Sequence, residues 1–236
     1  ILERSGAPLF RDMAIVGARI EVGDGRVIPT GNVIVRGARI TAVGADAAVP
    51  SGATVVDGKG LTVYPGFIDA YSTRGLKIPD AKPAGSPPDA RNTAPATMWH
   101  GNRKGIRSEV IASQALDLKN EIEGKRTQGI TTMLLTPGGG MLSGVATVVS
   151  LAGDGKVLLP EAAAEMGFRN GSGAGYPGTL FGVTATLRQT LADAQYYAKQ
   201  TNPTKDPSLD GLRGVLTGQV PALFNAAAGA LAIWYL

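Results

Sequence analysis

Short apolar runs recur through the first sixty residues, at 13–19, 32–36, 40–43 and 53–56, each with β-branched residues near its centre. Polar and glycine-bearing breaks separate them: Gly23-Asp24-Gly25, Arg36-Gly37, Gly44-Ala45-Asp46 and Pro50-Ser51-Gly52. Runs of that length at spacings of about ten residues predict an antiparallel β unit, with Asp24-Gly25 as a tight turn. Residues 64–76 then read as a buried strand that ends in a polar rim. The pattern beyond it changes. Residues 77–108 are polar and carry Pro79, Pro83, Pro87 and Pro88; that proline density disfavours helix and predicts a long loop containing Trp99, His100 and Arg103, either a lid or rim or a passive surface loop. Residues 108–127 show helical spacing at Ile111, Ala115, Leu118 and Ile122. A compact β run at 129–136 stops at Pro137-Gly138-Gly139-Gly140, and a second run covers 144–151. An irregular connection is expected at 160–178. A strong helix is expected over 184–197, with Thr184 as its cap, then a short helix over 206–217 and a strand over 220–225. The Ala-rich end from Ala226 could begin a helix. Strand, helix, strand, helix, strand in succession predicts a parallel α/β arrangement.

Composition narrows the function more than the fold. The 236 residues include no Cys and one His, and carry a net charge of +4. Disulfides and thiolate metal sites are excluded. Lys and Arg are dispersed rather than clustered, which argues against a nucleic-acid-binding face. No apolar run approaches the length of a membrane span, and residues 1–12 do not form a signal-peptide pattern. The length suits one large domain, or a small domain followed by part of a bigger one. Among the Gly-rich stretches, residues 137–144 lack the Gly-Lys-Ser/Thr ending of a P-loop, and Gly173–Gly178 has Pro177 inside a nominal G-x-G-x-x-G. Both read as turns, with the amides of Gly138 to Gly140 a candidate anion cradle.

Three segments carry a family resemblance. Val33-Ile-Val-Arg-Gly-Ala-Arg-Ile40-Thr-Ala-Val-Gly44 and Pro50-Ser-Gly-Ala-Thr-Val-Val-Asp57-Gly-Lys-Gly60 lead into Pro65-Gly66-Phe67-Ile68-Asp69-Ala70-Tyr71-Ser72-Thr73. These resemble the β-sandwich and first barrel strand of the amidohydrolase superfamily, of the imidazolonepropionase and dihydroorotase kind. Gly129-Ile-Thr-Thr132 is similar to its second barrel strand, and residues 220–225 stand where its third is expected. The resemblance implies a small N-terminal β-sandwich over residues 1–62, followed over 63–236 by the first strands and helices of a (β/α)8 TIM barrel that this chain leaves incomplete. A full barrel takes about 250 residues on its own. It also implies metal-dependent hydrolysis of non-peptide C–N bonds.

The residues that would hold the metal are not those of the family. Its first strand reads P-G-x-I-D-x-H-x-H, where alternate His residues point to one side of the strand. Here those positions are Tyr71 and Thr73. A phenol of unperturbed pKa ~10 and a neutral hydroxyl are poor zinc ligands, and Asp69, expected on the same face, cannot hold a divalent ion alone. On the third strand Asn225 stands at a position that often carries chemistry, followed by Ala227. No metal site and no confident catalytic residue follow; the pocket candidates are Asp69, Tyr71, Thr73, Trp99, His100 and Asn225. The Tyr71 variant, with segments 103–109, 137–140 and 175–178, is similar to a degenerate bacterial, often exported subgroup, and only that resemblance speaks to location. The first expectation is a catalytically silent, structural or partner subunit in a homo- or hetero-oligomer, such as one with an active amidohydrolase. The second is an active metal hydrolase whose zinc ligands lie in a C-terminal half or partner chain; the third is a small-ligand-binding barrel.

Overall fold

The computed structural model describes residues 12–78, 105–168 and 177–225, together with the backbone of 231–234. The chain divides into two compact units, Ile1–Gly66 and Phe67–Leu236.

In the first unit, β1 (Met13–Glu21), β2 (Val27–Arg36) and β3 (Arg39–Gly44) form an antiparallel meander, as the alternating runs predict. The expectation of a purely antiparallel unit is corrected by β4 (Thr54–Asp57) and β5 (Thr62–Val63), which both pair with β1 in parallel. They share one edge of β1 because β1 carries a bulge at its centre, where Gly17 takes φ 73°. That backbone shape suits glycine and re-aims the strand between its two partners. Asn32 fixes the bulge: its Oδ1 accepts from Gly17 N at 3.1 Å while its Nδ2 donates to Ala47 O at 2.9 Å. Ala14, Ala18, Ile20, Val33 and Ile34 are the buried apolar residues of this sheet.

The second unit is a mixed α/β assembly built on a six-stranded sheet of order β11-β10-β9-β8-β7-β6. Its strands are β6 (Phe67–Ser72), β7 (Ile130–Leu135), β8 (Leu142–Ser150), β9 (Lys156–Gly167), β10 (Ala222–Asn225) and β11 (Leu231–Trp234). β6 and β7 are parallel, as are β9 and β10. The predicted all-parallel order is corrected by β8, which runs antiparallel to both β7 and β9. Residues 136–141 turn the chain back sharply, so the strand after β7 returns along it instead of crossing over through a helix. The irregular connection expected at 160–178 is, up to Gly167, the end of the longest strand, and the C-terminal stretch expected to start a helix contains β11, antiparallel to β10.

The helices differ from expectation in instructive ways. The pattern at 108–127 yields only a 3-10 turn at Ala112–Gln114 and one short helix, α1 (Ile122–Thr127). Ile111 and Leu116 of this stretch serve extended backbone instead, bridging to Val145 and Leu76. The strong helix is present as α2 (Leu180–Ala198), but its cap is Thr179, whose side chain accepts from Gly182 N at 3.1 Å. Thr184 lies inside, bonded to Leu180 O. The 206–217 helix is split into α3 (Pro207–Asp210), capped by Asp206, and α4 (Arg213–Leu216).

Two apolar clusters lie against the sheet. Leu118 and Ile122 pack with Met133, Leu135 and Val149. Val183, Leu187 and Ala194 of α2 pack with Ala164, Met166 and Ala222. Because strand side chains alternate, Leu134 and Thr136, Glu165, and Leu223 and Asn225 project from the opposite face.

Candidate functional site

β6 decides what each polar side chain at its end can reach. Asp69 pairs with Met133 and Ser72 with Leu135, so three steps on β6 oppose two on β7. The extra residue is a β-bulge, and it reverses the alternation. Asp69 therefore lies on the side of Met133 and α1, where Lys125 Nζ meets its Oδ2 at 2.7 Å. Tyr71 goes to the other face. The expectation that Asp69 and Tyr71 share a face, drawn from their spacing of two, is corrected by this bulge.

Tyr71 reaches Glu165, a residue that sequence reasoning missed. The phenol donates to Glu165 Oε1 at 2.7 Å, and Asn225 Nδ2 donates to the phenol oxygen at 2.8 Å. Asn225 also approaches Glu165 Oε1 at 3.4 Å, and Gly138 N donates to Oε2 at 2.9 Å. Strand ends from β6, β9 and β10 and the loop after β7 thus meet on one carboxylate. Glu165 is 2% exposed, and the donors to it are all neutral. Burial, then the bond to Glu165, pushes the Tyr71 phenol above its ordinary value; Asn225 and the adjacent Thr136 oppose that shift without cancelling it. Thr136 Oγ1 is itself buried and meets no partner in hydrogen-bond geometry. The amide of Gly138 is indeed an anion donor, but the anion is the protein's own. Gly138 has φ 66°, and a Cβ there would come within 2.7 Å of the Thr73 methyl, so the turn that aims this amide admits no side chain.

Of the six pocket candidates, the structure brings Tyr71 and Asn225 together and sets Asp69 apart on α1. Thr73 is exposed and packs its methyl beside Gly138. Trp99 and His100 lie outside the described residues, as do most of the expected lid and Ala227. Among the described residues no three of His, Cys, Asp and Glu gather into a metal-binding group. The donors that do gather fit a zinc centre poorly. Tyr71 holds its proton more firmly than a free phenol, and Asn225 presents its amide N–H side to the cluster. Glu165 had one available signal, a lone acid in the run Ala162-Ala163-Ala164-Glu165-Met166 that closes at Gly167.

With this geometry in place, the comparisons with known proteins can be set beside it. No protein-family model matches the chain. A crystal structure of an amidohydrolase from Thermotoga maritima MSB8 superposes with a TM-score of 0.69 at 17% identity, covering 90% of this chain and 57% of that one. By fold, the chain is similar to that amidohydrolase structure over most of its length. A 66-residue segment, 28% of this chain, is 42% identical to N-acyl-D-aspartate deacylase from Alcaligenes xylosoxydans xylosoxydans, of which it spans 13%. The chain thus spans little more than half of the amidohydrolase structure and a small part of the curated relative. Within this fold, β6, β9 and β10 bring together a phenol, a carboxylate and an amide. Among the described residues no helix is long and apolar enough to cross a membrane.

Proposed function

We propose that this chain is an amidohydrolase-fold protein in which an internal hydrogen-bonded cluster replaces the metal centre, so that it acts as a silent structural or partner subunit rather than a hydrolase. The observation that carries this reading is the engagement of both Glu165 oxygens by the protein's own donors. This buried carboxylate near the end of β9 accepts from Tyr71, Gly138 and Asn225. A catalytic zinc needs nitrogen or anionic ligands with an open position, and Tyr71 stands where the superfamily's first strand has a histidine. The β-sandwich and TIM-barrel descriptions of the two units belong to the same reading. The protein dialysed against zinc and then washed should retain well under one equivalent of metal per chain and should not hydrolyse N-acyl amino acids or cyclic amides. Stoichiometric zinc that Glu165→Gln removes would overturn it.

A second reading is that of an active metal hydrolase whose ligands come from other polypeptide. It is favoured by the coverage of 57% of the Thermotoga structure and by β6, which ends the sheet. Zinc bound only after a C-terminal half or a partner chain is supplied would select it. A small-ligand-binding role draws its support from the unpartnered Thr136 hydroxyl beside Tyr71.

A further inference from the structure

β6 lies at an end of its sheet, and among the described residues β7 is the strand that pairs with it. Asp69 pairs with Met133 and Ser72 with Leu135, so Ala70 and Tyr71 stand opposite the single residue Leu134. This irregularity decides where Tyr71 goes. In a regular strand, side chains two residues apart share a face, and Tyr71 would lie with Asp69 on the side of α1. A slip of one residue sends a side chain to the other face. The 2.7 Å bond from the phenol to Glu165 therefore exists only because the bulge is there.

A bulge interrupts the ladder and leaves backbone groups without their strand partners, so something else must hold the extra residue. Asp69 does this with both carboxylate oxygens. Its Oδ1 accepts from the Tyr71 amide at 3.3 Å, the two-residue reach by which Asp side chains shape turns. Its Oδ2 meets Lys125 Nζ at 2.7 Å, which pins the carboxylate from α1. The same side-chain-to-amide bond occurs at Asp24, Asp57, Ser72 and Ser150. There it lies in a turn or at a strand end, where the chain leaves its ladder. At Asp69 it lies inside a strand, and the departure it makes is the bulge. Beyond the bulge, Ser72 O accepts from Thr136 N at 2.9 Å, so Ala70 and Tyr71 are spanned between two fixed points.

We propose that Asp69 is the positioning residue of the Tyr71 cluster: held by Lys125 on the α1 side, it fixes the β6 bulge through the Tyr71 amide and so delivers the phenol to Glu165 on the opposite face. The ion pair and the neutral cluster share no side chain, yet they are one coupled unit through the backbone of Tyr71. This coupling is a matter of geometry and stands whether or not the chain hydrolyses anything.

Tyrosine labelled with carbon-13 at Cζ gives a titration curve for each phenol of the whole chain, and Tyr71→Phe identifies the Tyr71 signal. In the wild type it should ionise above the ordinary phenol value, as its burial and its bond to Glu165 require. Asp69→Ala should bring it down to that of a free phenol. The same substitution should speed hydrogen exchange of the Tyr71 amide about tenfold, an ordinary hydrogen bond being lost. Asp69→Asn keeps an oxygen beside that amide and should retain most of the upward shift. If Asp69 acted on the phenol merely as a negative charge, the two substitutions would lower it equally. Lys125→Met separates the same two causes: loss of a cation by its field alone raises a phenol, whereas loss of the anchor lowers it. Arg126→Met is the control for a loosened α1, because that guanidinium bonds Leu151 O just after β8; it should leave Tyr71 unchanged. A wild-type Tyr71 titration in Asp69→Ala overturns the proposal. So do equal falls in Asp69→Ala and Asp69→Asn, a Lys125→Met that fails to lower the phenol, or a fall in Arg126→Met as large as that in Asp69→Ala. If Asp69→Ala does not fold, Lys125→Met carries the test by itself. Zinc content reports on catalytic silence and this titration on positioning, so either reading can fail alone.

Discussion

Asp69, in the middle of β6, and Glu165, near the end of β9, are both carboxylates of one sheet, yet the protein satisfies them by different means. Asp69 lies on the α1 side against Lys125, each side chain about one-fifth exposed, and the pair is an ion pair still in touch with water. Glu165, on the other face, is almost fully enclosed and meets a phenol, a backbone amide and a carboxamide. Opposite charge answers the first; the second is answered by a count of neutral donors. The contrast teaches that the inner face is organised to hold one anion by geometry, and that the protein's own side chain fills that role.

The comparison is most sharply broken at Glu165. Glu165→Ala should strand the Tyr71 hydroxyl and the Gly138 amide in a buried place, at a cost of about 3 kcal/mol in urea unfolding. Glu165→Gln, which keeps an acceptor, should cost much less. If the two variants are equally stable, the cluster is not what holds these strand ends together. Lys125→Met comes next. It leaves Asp69 without its cation in a half-buried place, and about 1–2 kcal/mol should be lost, more at low salt than at high salt. Tyr71→Phe removes one hydroxyl and frees one Glu165 lone pair, for about 1 kcal/mol, with no salt dependence.

The smallest effect is in pH. The Tyr71 phenol is raised above its ordinary value of 10.0, chiefly by burial. The unfolded chain therefore releases this proton first, and the folded state binds more protons above pH 10. Stability from this group is complete below that pH and declines as pH rises through the folded value. Comparing unfolding of the wild type with Tyr71→Phe between pH 9 and 11 isolates it; identical slopes would mean that the phenol is not buried in solution.

Much of the scaffold was legible because its signals are local. β1, β2 and β3 announce themselves by β-branched runs between Gly and Asp breaks, and α2 by a continuous 3.6-residue repeat. Tyr71 and Asn225 were legible as polar residues closing apolar strand patterns, which is where the structure brings them together. What escaped depends on partners distant in sequence. β9 contains Pro160 and three successive alanines, a poor strand by propensity, and forms because β8 and β10 supply ladders on both sides. Glu165 was lost along with it. The bulge in β6 leaves no mark in the residue types, yet it sends Asp69 and Tyr71 to opposite faces. The helix expected over 108–127 shrank to α1 because Ile111, at a helical interval, bridges to Val145 instead, while Leu118 and Ile122 share one apolar cluster without a continuous helix between them.

β6 occupies one end of its sheet with Phe67 and Ile68 more than half exposed. For a laboratory preparing this protein, that edge is a matter of colloidal behaviour before it is one of biology. Among the described residues β7 is the strand that pairs with β6, and an apolar border strand nucleates intermolecular ladders, so soluble yield should depend on the apolar residues this strand presents. A lysine in place of Ile68 should improve recovery from concentrated stocks while leaving the Tyr71 cluster untouched, separating the handling of the chain from its chemistry.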